Sequence, residues 1–208
     1  VLSTTDLYLP GSVHFAADQK KSIGKSPSDT KVAMAFEGDP FSMDIRAGLV
    51  DLINDYGMKI IIDDLTGGEV LALLEEHLSD MYATSPPESV HALDVEALKA
   101  SNITFFSGWK QQQLAGCVAI KTLDTHSAEL KSMRTAKPFR GCGVASQLLL
   151  FALEHAKMKG FSSVSLETGT QDYFLAARTL YKKFGFVDCG PFGSYSIDPN
   201  SHFMTRAL

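Results

Sequence analysis

The sequence predicts a mixed α/β (α+β) fold, with a twisted, mostly antiparallel sheet of about six to seven strands flanked by helices. Three strand-like segments follow one another with only short polar turns between them, which favours an antiparallel meander. The third segment leads through a helix into another strand, and such a unit favours a right-handed parallel crossover. The strand-like runs are residues 58–65, 103–109, 114–123, 127–135 and 163–168, a run that starts at Phe186, and 202–207.

Helical periodicity accounts for most of the remaining folded segments. Thr66 and Glu69 have the spacing of a capping box, which predicts the start of the first helix. A pair of prolines then breaks the chain before a second, shorter helix begins. The predicted helices are 66–81, 89–100, 144–159 and 174–183.

The first 57 residues stand apart from this pattern. Residues 1–39 are rich in Ser, Asp, Gly and Lys with little apolar periodicity, so we expect a flexible or peripheral extension. Residues 43–56 fit a short amphipathic helix ended by Gly57. The predicted organisation is an extension at 1–57 and a folded domain at 58–208. The extension would be an added helix, a partner-binding arm or a segment foreign to the core.

Composition limits the class of protein. The 208 residues are 45% hydrophobic and 21% charged with a net charge of -5, which is typical of a soluble globular protein. The acidic balance disfavours a nucleic-acid surface, and no apolar run reaches membrane-spanning length. We therefore expect no nucleic acid, no membrane and a cytoplasmic location. The cysteines at 117, 142 and 189 are scattered and favour neither disulfides nor a metal site.

The stretch 133–160 is the candidate binding site. A strand ends there, Gly141 and Gly143 turn the chain, and an apolar-faced helix begins. Glycines can adopt backbone angles that point consecutive N–H groups at one anion, and the helix dipole adds partial positive charge. The loop therefore predicts a phosphate site, with an ordinary strand-to-helix turn as the alternative. Local positive charge would come from Arg134, Lys137 and Arg140.

Two ordered motifs resemble one known family. Arg140-x-x-Gly143-x-Ala145 looks like the acyl-CoA pyrophosphate loop of the GNAT (Gcn5-related N-acetyltransferase) superfamily, whose pattern is Gln/Arg-x-x-Gly-x-Gly/Ala. Downstream, residues 177–186 resemble the A-x-x-L-Y-x-x-x-G-F segment of the same family and contain Tyr181. Two elements in family-like order are more specific than either one alone. The resemblance covers residues 58–208, the predicted folded domain.

This resemblance implies an acetyl-CoA-dependent N-acetyltransferase with the GNAT (acyl-CoA N-acyltransferase) fold. The acetyl group would pass to a primary amine, of a small molecule or of a protein, by direct attack in a ternary complex. The pantetheine arm would enter the gap between two splayed parallel strands. Phe174 stands where many members carry Asn, which puts one polar contact to the cofactor in doubt. The implied cofactor-binding residues are Met133, Arg134, Thr135, Arg140, Gly141, Cys142, Gly143, Val144, Ala145 and Ser146.

Two residues are candidates for catalysis. The family uses the tyrosine of its second motif to protonate the sulfur of CoA, which implies this role for Tyr181; the alternative is packing beside the cofactor. Glu129 lies where the family often places a carboxylate base, and its alternative is a surface glutamate paired with Lys131 or Arg134. Strand alternation puts Glu129, Lys131 and Met133 on one face.

No motif specifies the acceptor. In the family the first two helices flank the acceptor cleft, which implies contacts from His77, Tyr82, Glu88 and His91, although lone histidines on such helices are more often packed or surface residues. A non-catalytic acyl-CoA sensor or scaffold of the same fold is the alternative function. Edge strands near the C-terminus would allow a homodimer.

Overall fold

The computed structural model describes residues 57–208, which form one seven-stranded sheet with the order β1-β2-β3-β4-β5-β7-β6. Neighbouring strands are antiparallel except β4 and β5, which run parallel. The predicted mixed sheet and its parallel crossover are therefore confirmed. The extension at 1–57, with its helix at 43–56, lies outside the described residues apart from Gly57. The strands are β1 Lys59–Ile62, β2 Ile103–Lys110, β3 Gln113–Thr122, β4 Ser127–Thr135, β5 Ser163–Gly169, β6 Val187–Asp188 and β7 Ser201–Ala207.

Residues 57–208 contain four α-helices: α1 Gly68–Thr84, α2 Val95–Leu98, α3 Val144–Met158 and α4 Leu175–Lys183. The predicted capping box of α1 is wrong, because the N-cap is Gly67 and no side chain caps the helix. The hydroxyl of Thr66 instead donates to the carboxylate of Asp64 at 2.6 Å. In the part of the chain that the structure describes, no helix has both the length and the apolar character needed to cross a membrane.

The second predicted helix, at 89–100, is wrong over most of its length. Pro87–Ser89 forms a single 3₁₀ turn, and α2 begins only at Val95. There the side chain of Asp94 accepts a hydrogen bond from the N–H of Ala97 at 2.8 Å. An aspartate N-cap of this kind fixes the start of a helix. The residues between the turn and α2 stay irregular, and part of this segment borders the cavity described below.

Helices cover both faces of the sheet. The rings of Phe106 on β2 and Phe151 on α3 lie 5.1 Å apart, so α3 packs on the face opposite to α1 and α2. Gly116 on β3 permits this packing, because an added Cβ would lie 2.9 Å from Leu148 of α3 and 2.5 Å from the carbonyl oxygen of Arg134 on β4. The core on the α1 face contains Leu65, Val70, Leu73, Leu74, Leu98, Phe105, Cys117 and Ala119.

β4 and β5 separate along their length, and this opening positions the site. Their ladder ends at the pair Leu130 and Leu166, and beyond it the two parallel strands no longer pair. The opening therefore lies at the carboxyl ends of both strands, where ligands bind in open α/β sheets. The cofactor loop follows directly from the end of β4.

A β-bulge interrupts β4 at Ser132, whose φ is 49°. The register with β3 shifts there, between the partners of Lys131 and Arg134. A bulge moves the following side chains of a strand to the opposite face. The predicted alternation is therefore wrong beyond Lys131: Arg134 rather than Met133 reaches α1, through the carboxylate of Glu76.

Candidate functional site

The predicted phosphate loop, residues 140–146, forms a cradle of main-chain donors at the start of α3. Gly141 and Gly143 have φ values of 76° and 77°, the left-handed region that glycine adopts readily, as the motif predicts. No side chain caps α3, and its first internal hydrogen bond runs from the N–H of Gln147 to the carbonyl of Gly143. The N–H groups of 144–146 therefore stay available at the positive end of the helix dipole.

The positive charge beside the cradle is smaller than the sequence predicts. Arg134 is buried, and its guanidinium lies 2.5 Å from the carboxylates of both Glu76 and Asp80. The hydrogen bonds from Arg134 lower the pKa of both carboxyl groups. The side chains of Lys137 and Arg140 are 64% and 48% exposed and lie 3.6 and 3.8 Å from the carboxylate of Glu76. Two cationic side chains rather than three are thus placed to meet an anion at the cradle.

A cavity of about 380 Å³ extends from the cradle to the opening between β4 and β5. Its walls come from α1, the segment 85–92, β4, β5 and α4. Of the predicted cofactor residues, those that line it are Met133, Arg134, Thr135, Arg140 and Ala145. The cavity therefore joins the predicted phosphate site to the ends of the two separated strands.

Two of the four predicted acceptor contacts, His77 and His91, line this cavity, whereas Tyr82 and Glu88 lie outside its lining. Burial, with the charge of Arg134, lowers the pKa of His77 from 6.5 to about 4. The imidazole of His77 is therefore neutral at pH 7. Its buried Nδ1 has no hydrogen-bond partner among the described residues. His77 thus gives the cavity wall a neutral polar group.

Tyr181 lines the cavity from α4, and its hydroxyl lies 3.8 Å from the sulfur of Met133 on β4. The side chain is 7% exposed. Burial, and after it the charge of Glu167, raises the pKa of this phenol. Tyr181 is therefore protonated at neutral pH, as the predicted acid has to be.

A carboxylate that the motifs do not indicate lines the same cavity. Glu167 lies on β5, one residue beyond the last pair with β4. Burial raises the pKa of its carboxyl group above 4.5, although the neighbouring hydroxyl of Ser201 and the charges of His91 and Lys131 act in the opposite direction. Within residues 57–208 it takes part in no ion pair. The sequence signal for it is a glutamate at the carboxyl end of a buried parallel strand.

Comparison with known proteins identifies the family. A sequence profile of the Acetyltransferase (GNAT) family matches residues 70–186. The uncharacterized N-acetyltransferase YsnE of Bacillus subtilis is 51% identical over 151 residues, 73% of this chain and 100% of YsnE. The uncharacterized N-acetyltransferase YedL of Escherichia coli is 49% identical over 146 residues, 70% of this chain and 92% of YedL. This chain belongs to the GNAT acetyltransferase family. The predicted family is confirmed, and the chain is an enzyme of the GNAT type.

A solved GNAT structure agrees with the fold. A GNAT family acetyltransferase from Elizabethkingia anophelis, with acetyl-CoA bound, matches 74% of this chain and 99% of its own, with a TM-score of 0.54 and 17% sequence identity. At this identity the likeness concerns the fold alone. The predicted GNAT fold is thus confirmed by an independent comparison.

In this GNAT enzyme Glu129 is absent from the cavity lining. Its side chain is 1% exposed, accepts a hydrogen bond from the hydroxyl of Tyr195 at 2.6 Å and lies 3.3 Å from the ammonium of Lys131. The pairing of Glu129 with Lys131 is as expected, but the side chain of Glu129 is buried rather than on the surface. Arg134 pairs with Glu76 on α1 and not with Glu129. The role of Glu129 as the base stays a prediction, with Glu167 as its competitor.

Two residues singled out by the cofactor motifs, Cys142 and Phe174, have local contacts that bear on cofactor binding. The N–H of Cys142 donates to the carbonyl of Phe139 at 3.3 Å, so this amide already has a partner within the loop. Phe174 is 8% exposed and lines the cavity, with its ring centroid 5.0 Å from that of Tyr173. An apolar surface therefore stands where many family members carry Asn.

Proposed function

We propose that this GNAT enzyme transfers the acetyl group of acetyl-CoA to a primary amine by direct attack in a ternary complex. The observation that carries the proposal is that one cavity is lined both by Arg140 and Ala145 of the cradle and by the ionisable pair Glu167 and Tyr181. The acetyl-CoA bound to the E. anophelis protein supports the same donor here. The names of YsnE and YedL support a nitrogen acceptor.

Glu167 is suited to remove the proton from the acceptor. An aliphatic amine is protonated at neutral pH and has to lose a proton before it can attack a thioester. The carboxylate of Glu167 lines the cavity without a cation partner among the described residues, and burial moves its pKa towards neutrality. A carboxylate with a raised pKa is a stronger base than an ordinary one. Glu129, by contrast, is held by Tyr195 and Lys131.

Tyr181 is suited to give a proton to the departing sulfur. The amine nitrogen bonds to the thioester carbon, the carbon–sulfur bond breaks, and the thiolate takes the phenolic proton. The attacking nitrogen then loses its second proton, which restores the phenol. The charge of Glu167 contributes to the raised pKa of Tyr181. Because this charge disappears once Glu167 has accepted the first proton, the phenol becomes a better acid when its proton is needed.

The bulge in β4 is suited to stabilise the carbonyl oxygen. A β-bulge leaves an extra residue unpaired in the ladder, and here the register shift lies opposite Ser132 and Met133. A main-chain N–H at this point would donate to the thioester oxygen as negative charge develops on it. Such preorganised donors contribute strongly to acyl transfer.

Acetyl-CoA-dependent release of CoA over a panel of amines tests the proposal. Glu167→Gln and Tyr181→Phe are each expected to lower kcat by about 100-fold or more, because a general acid or base contributes about 10² to 10⁴ in rate. The KM for acetyl-CoA should change little, since neither residue belongs to the cradle. Glu154→Gln, on the exposed side of α3, is the matched control and should leave kcat unchanged.

Two outcomes would change the assignment. Tight binding of acetyl-CoA without CoA release from any amine would overturn the transferase in favour of the acyl-CoA sensor. Full activity in Glu167→Gln, with loss of the acidic limb of the pH profile in Glu129→Gln, would keep the reaction and make Glu129 the base.

A further inference from the structure

We propose that the buried group formed by Glu129 and Lys131 with the partly buried Tyr195 sets the acceptor class. The acceptor is a small primary amine that carries no carboxylate or other anionic group. The inference rests on the proposed function and concerns the wall of the same cavity, to which Lys131 and His91 contribute. It follows because most charged side chains of the cavity wall already have a partner of opposite charge.

The three side chains are joined by two hydrogen bonds and one ion pair. The hydroxyl of Tyr195 donates to Glu129 at 2.6 Å and accepts from the ammonium of Lys131 at 2.8 Å. The same ammonium donates to the carbonyl of His91 at 3.0 Å and lies 3.3 Å from Glu129. Two of the three ammonium protons are thus engaged, and the carboxylate of Glu129 balances the charge. Lys131 lines the cavity with its charge already paired to Glu129.

Three other basic side chains of the cavity wall offer an acceptor no free cation. Arg134 is paired with two carboxylates of α1, and Arg140 lies at the cradle, where it would meet the phosphates of the donor. His77 is uncharged at neutral pH, since burial holds its pKa at about 4. His91 also lines the cavity, with its ring centroid 5.1 Å from that of Tyr195. Glu167 is the one carboxylate of the described cavity lining, and it has no ion-pair partner among the described residues.

This charge distribution discriminates between acceptors. An ammonium group finds in Glu167 a carboxylate that it can neutralise. A carboxylate on the same acceptor would lose its hydration in the cavity without a free cation in return, which is strongly unfavourable. The cavity of about 380 Å³ also has to hold the acyl end of the donor, so the acceptor is small.

Matched pairs of acceptors test the inference in the wild-type enzyme. Phenethylamine with phenylalanine, isoamylamine with leucine and ethanolamine with serine each differ by one carboxylate. At pH 8, where ordinary imidazoles are neutral, we expect kcat/KM for the amine to exceed that for its carboxylated partner by about 100-fold or more. Phenylalaninamide keeps the bulk of the substituent without its charge, and should stay within about tenfold of phenethylamine.

Glu129→Gln and Tyr195→Phe test the role of the buried group. Each removes one partner of Lys131, so its ammonium becomes available to an acceptor carboxylate. The ratio of kcat/KM between amine and carboxylated partner should fall by about tenfold or more. Lys121→Gln is the control, because Lys121 lies 3.9 Å from Glu129 and is absent from the cavity lining. Partial loss of folded enzyme does not affect the readout, since both acceptors are measured on one preparation.

The outcomes separate this inference from the proposed function. Equal use of phenylalanine and phenethylamine by the wild-type enzyme would overturn the acceptor class and leave the transferase intact. Unchanged ratios in both Glu129→Gln and Tyr195→Phe would overturn the role of the buried group. Absence of CoA release with every acceptor would overturn the proposed function and the inference together.

Discussion

The cradle depends on single glycines whose backbone conformation other residues adopt only with strain. Gly143 has a φ of 77°, and an added Cβ would meet nothing closer than a side-chain nitrogen of Gln147 at 3.9 Å. Alanine would therefore fit in space but would lie in the left-handed region, which costs about 1–2 kcal/mol. Gly160, at the other end of α3, has a φ of 85° and equally open surroundings. Alanine would therefore be strained at both positions, but only Gly143 lies in the cradle.

Gly143→Ala and Gly160→Ala should each lower the free energy of unfolding by about 1 kcal/mol, as alanine strain predicts. Only Gly143→Ala should raise the KM for acetyl-CoA, severalfold, because a change in this turn re-aims the N–H groups that meet the diphosphate. Urea unfolding and steady-state kinetics on both variants measure the two effects. The same KM in both variants would show that the cradle does not hold the donor.

Local motifs made the turn geometry of the cradle and the position of Tyr181 at the cavity predictable, since both depend on residues close together in the chain. The role of Tyr181 as the acid stays a prediction. Burial of Glu129 was not predictable in this way, because its hydrogen-bond partner Tyr195 lies 66 positions downstream. Glu167 was not predictable from a motif, because it lies outside both family motifs. Only the separation of β4 and β5 in space gives this strand glutamate access to the cavity.

At the scale of elements, α1 is joined to β4 by a charged contact. Arg134 reaches Glu76 and Asp80, and the hydroxyl of Tyr173 donates to Asp80 at 2.8 Å. Arg134 comes to this face through the bulge at Ser132, which the alternating sequence pattern does not reveal. The strands and the helices α3 and α4 were predictable from periodicity, whereas the bulge and the start of α2 depend on specific backbone and capping contacts.

Arg134→Met should lower the free energy of unfolding by about 3 kcal/mol. This value is at the lower end of the range that is typical for breaking a buried ion pair, because Glu76 and Asp80 are themselves partly exposed. Lys137→Met is the control. Its side chain is 64% exposed and 3.6 Å from Glu76, so the change should stay within about 0.5 kcal/mol. Urea unfolding at neutral pH measures both variants.

The same contact has a definite pH dependence. Since Arg134 lowers the pKa of Glu76 and Asp80, their contribution to stability is present above the ordinary carboxyl pKa and is lost as pH falls through the lowered values. The difference between wild type and Arg134→Met should therefore shrink below about pH 4. A difference that stays constant from neutral to strongly acidic pH would contradict the ion pairs.

At the scale of the whole molecule, the order of strands was predictable because short connections leave few topologies. The meander from β2 to β4 and the crossover through α3 are examples. The opening between β4 and β5 was implied only by the family resemblance, since no residue pattern records where two parallel strands stop pairing. That opening is what places Glu167 and Tyr181 in one cavity.

Two histidines, His155 which is buried and His77 which is partly buried, should make the stability of the described domain depend on pH below neutrality. Burial lowers the pKa of His77 and His155 from 6.5 to about 4 in each case. The unfolded chain then binds protons that the folded chain excludes, so the free energy of unfolding falls as pH drops from 6.5 towards 4. At about 1.4 kcal/mol for each unit, either histidine contributes up to about 3 kcal/mol.

His155→Leu isolates one half of this effect. The ring of His155 packs 4.9 Å from that of Phe106, so leucine keeps apolar contact there while the titrating group is lost. Urea unfolding at pH 7, 6 and 5 should show about half of the wild-type slope. Phe151→Leu, beside the same Phe106, should lower the free energy of unfolding and leave its pH slope unchanged.

A wild-type slope in His155→Leu would contradict a neutral buried imidazole. Glu167 could not explain a fall in the free energy of unfolding at acid pH, because a carboxyl group with a raised pKa stabilises the fold as pH falls.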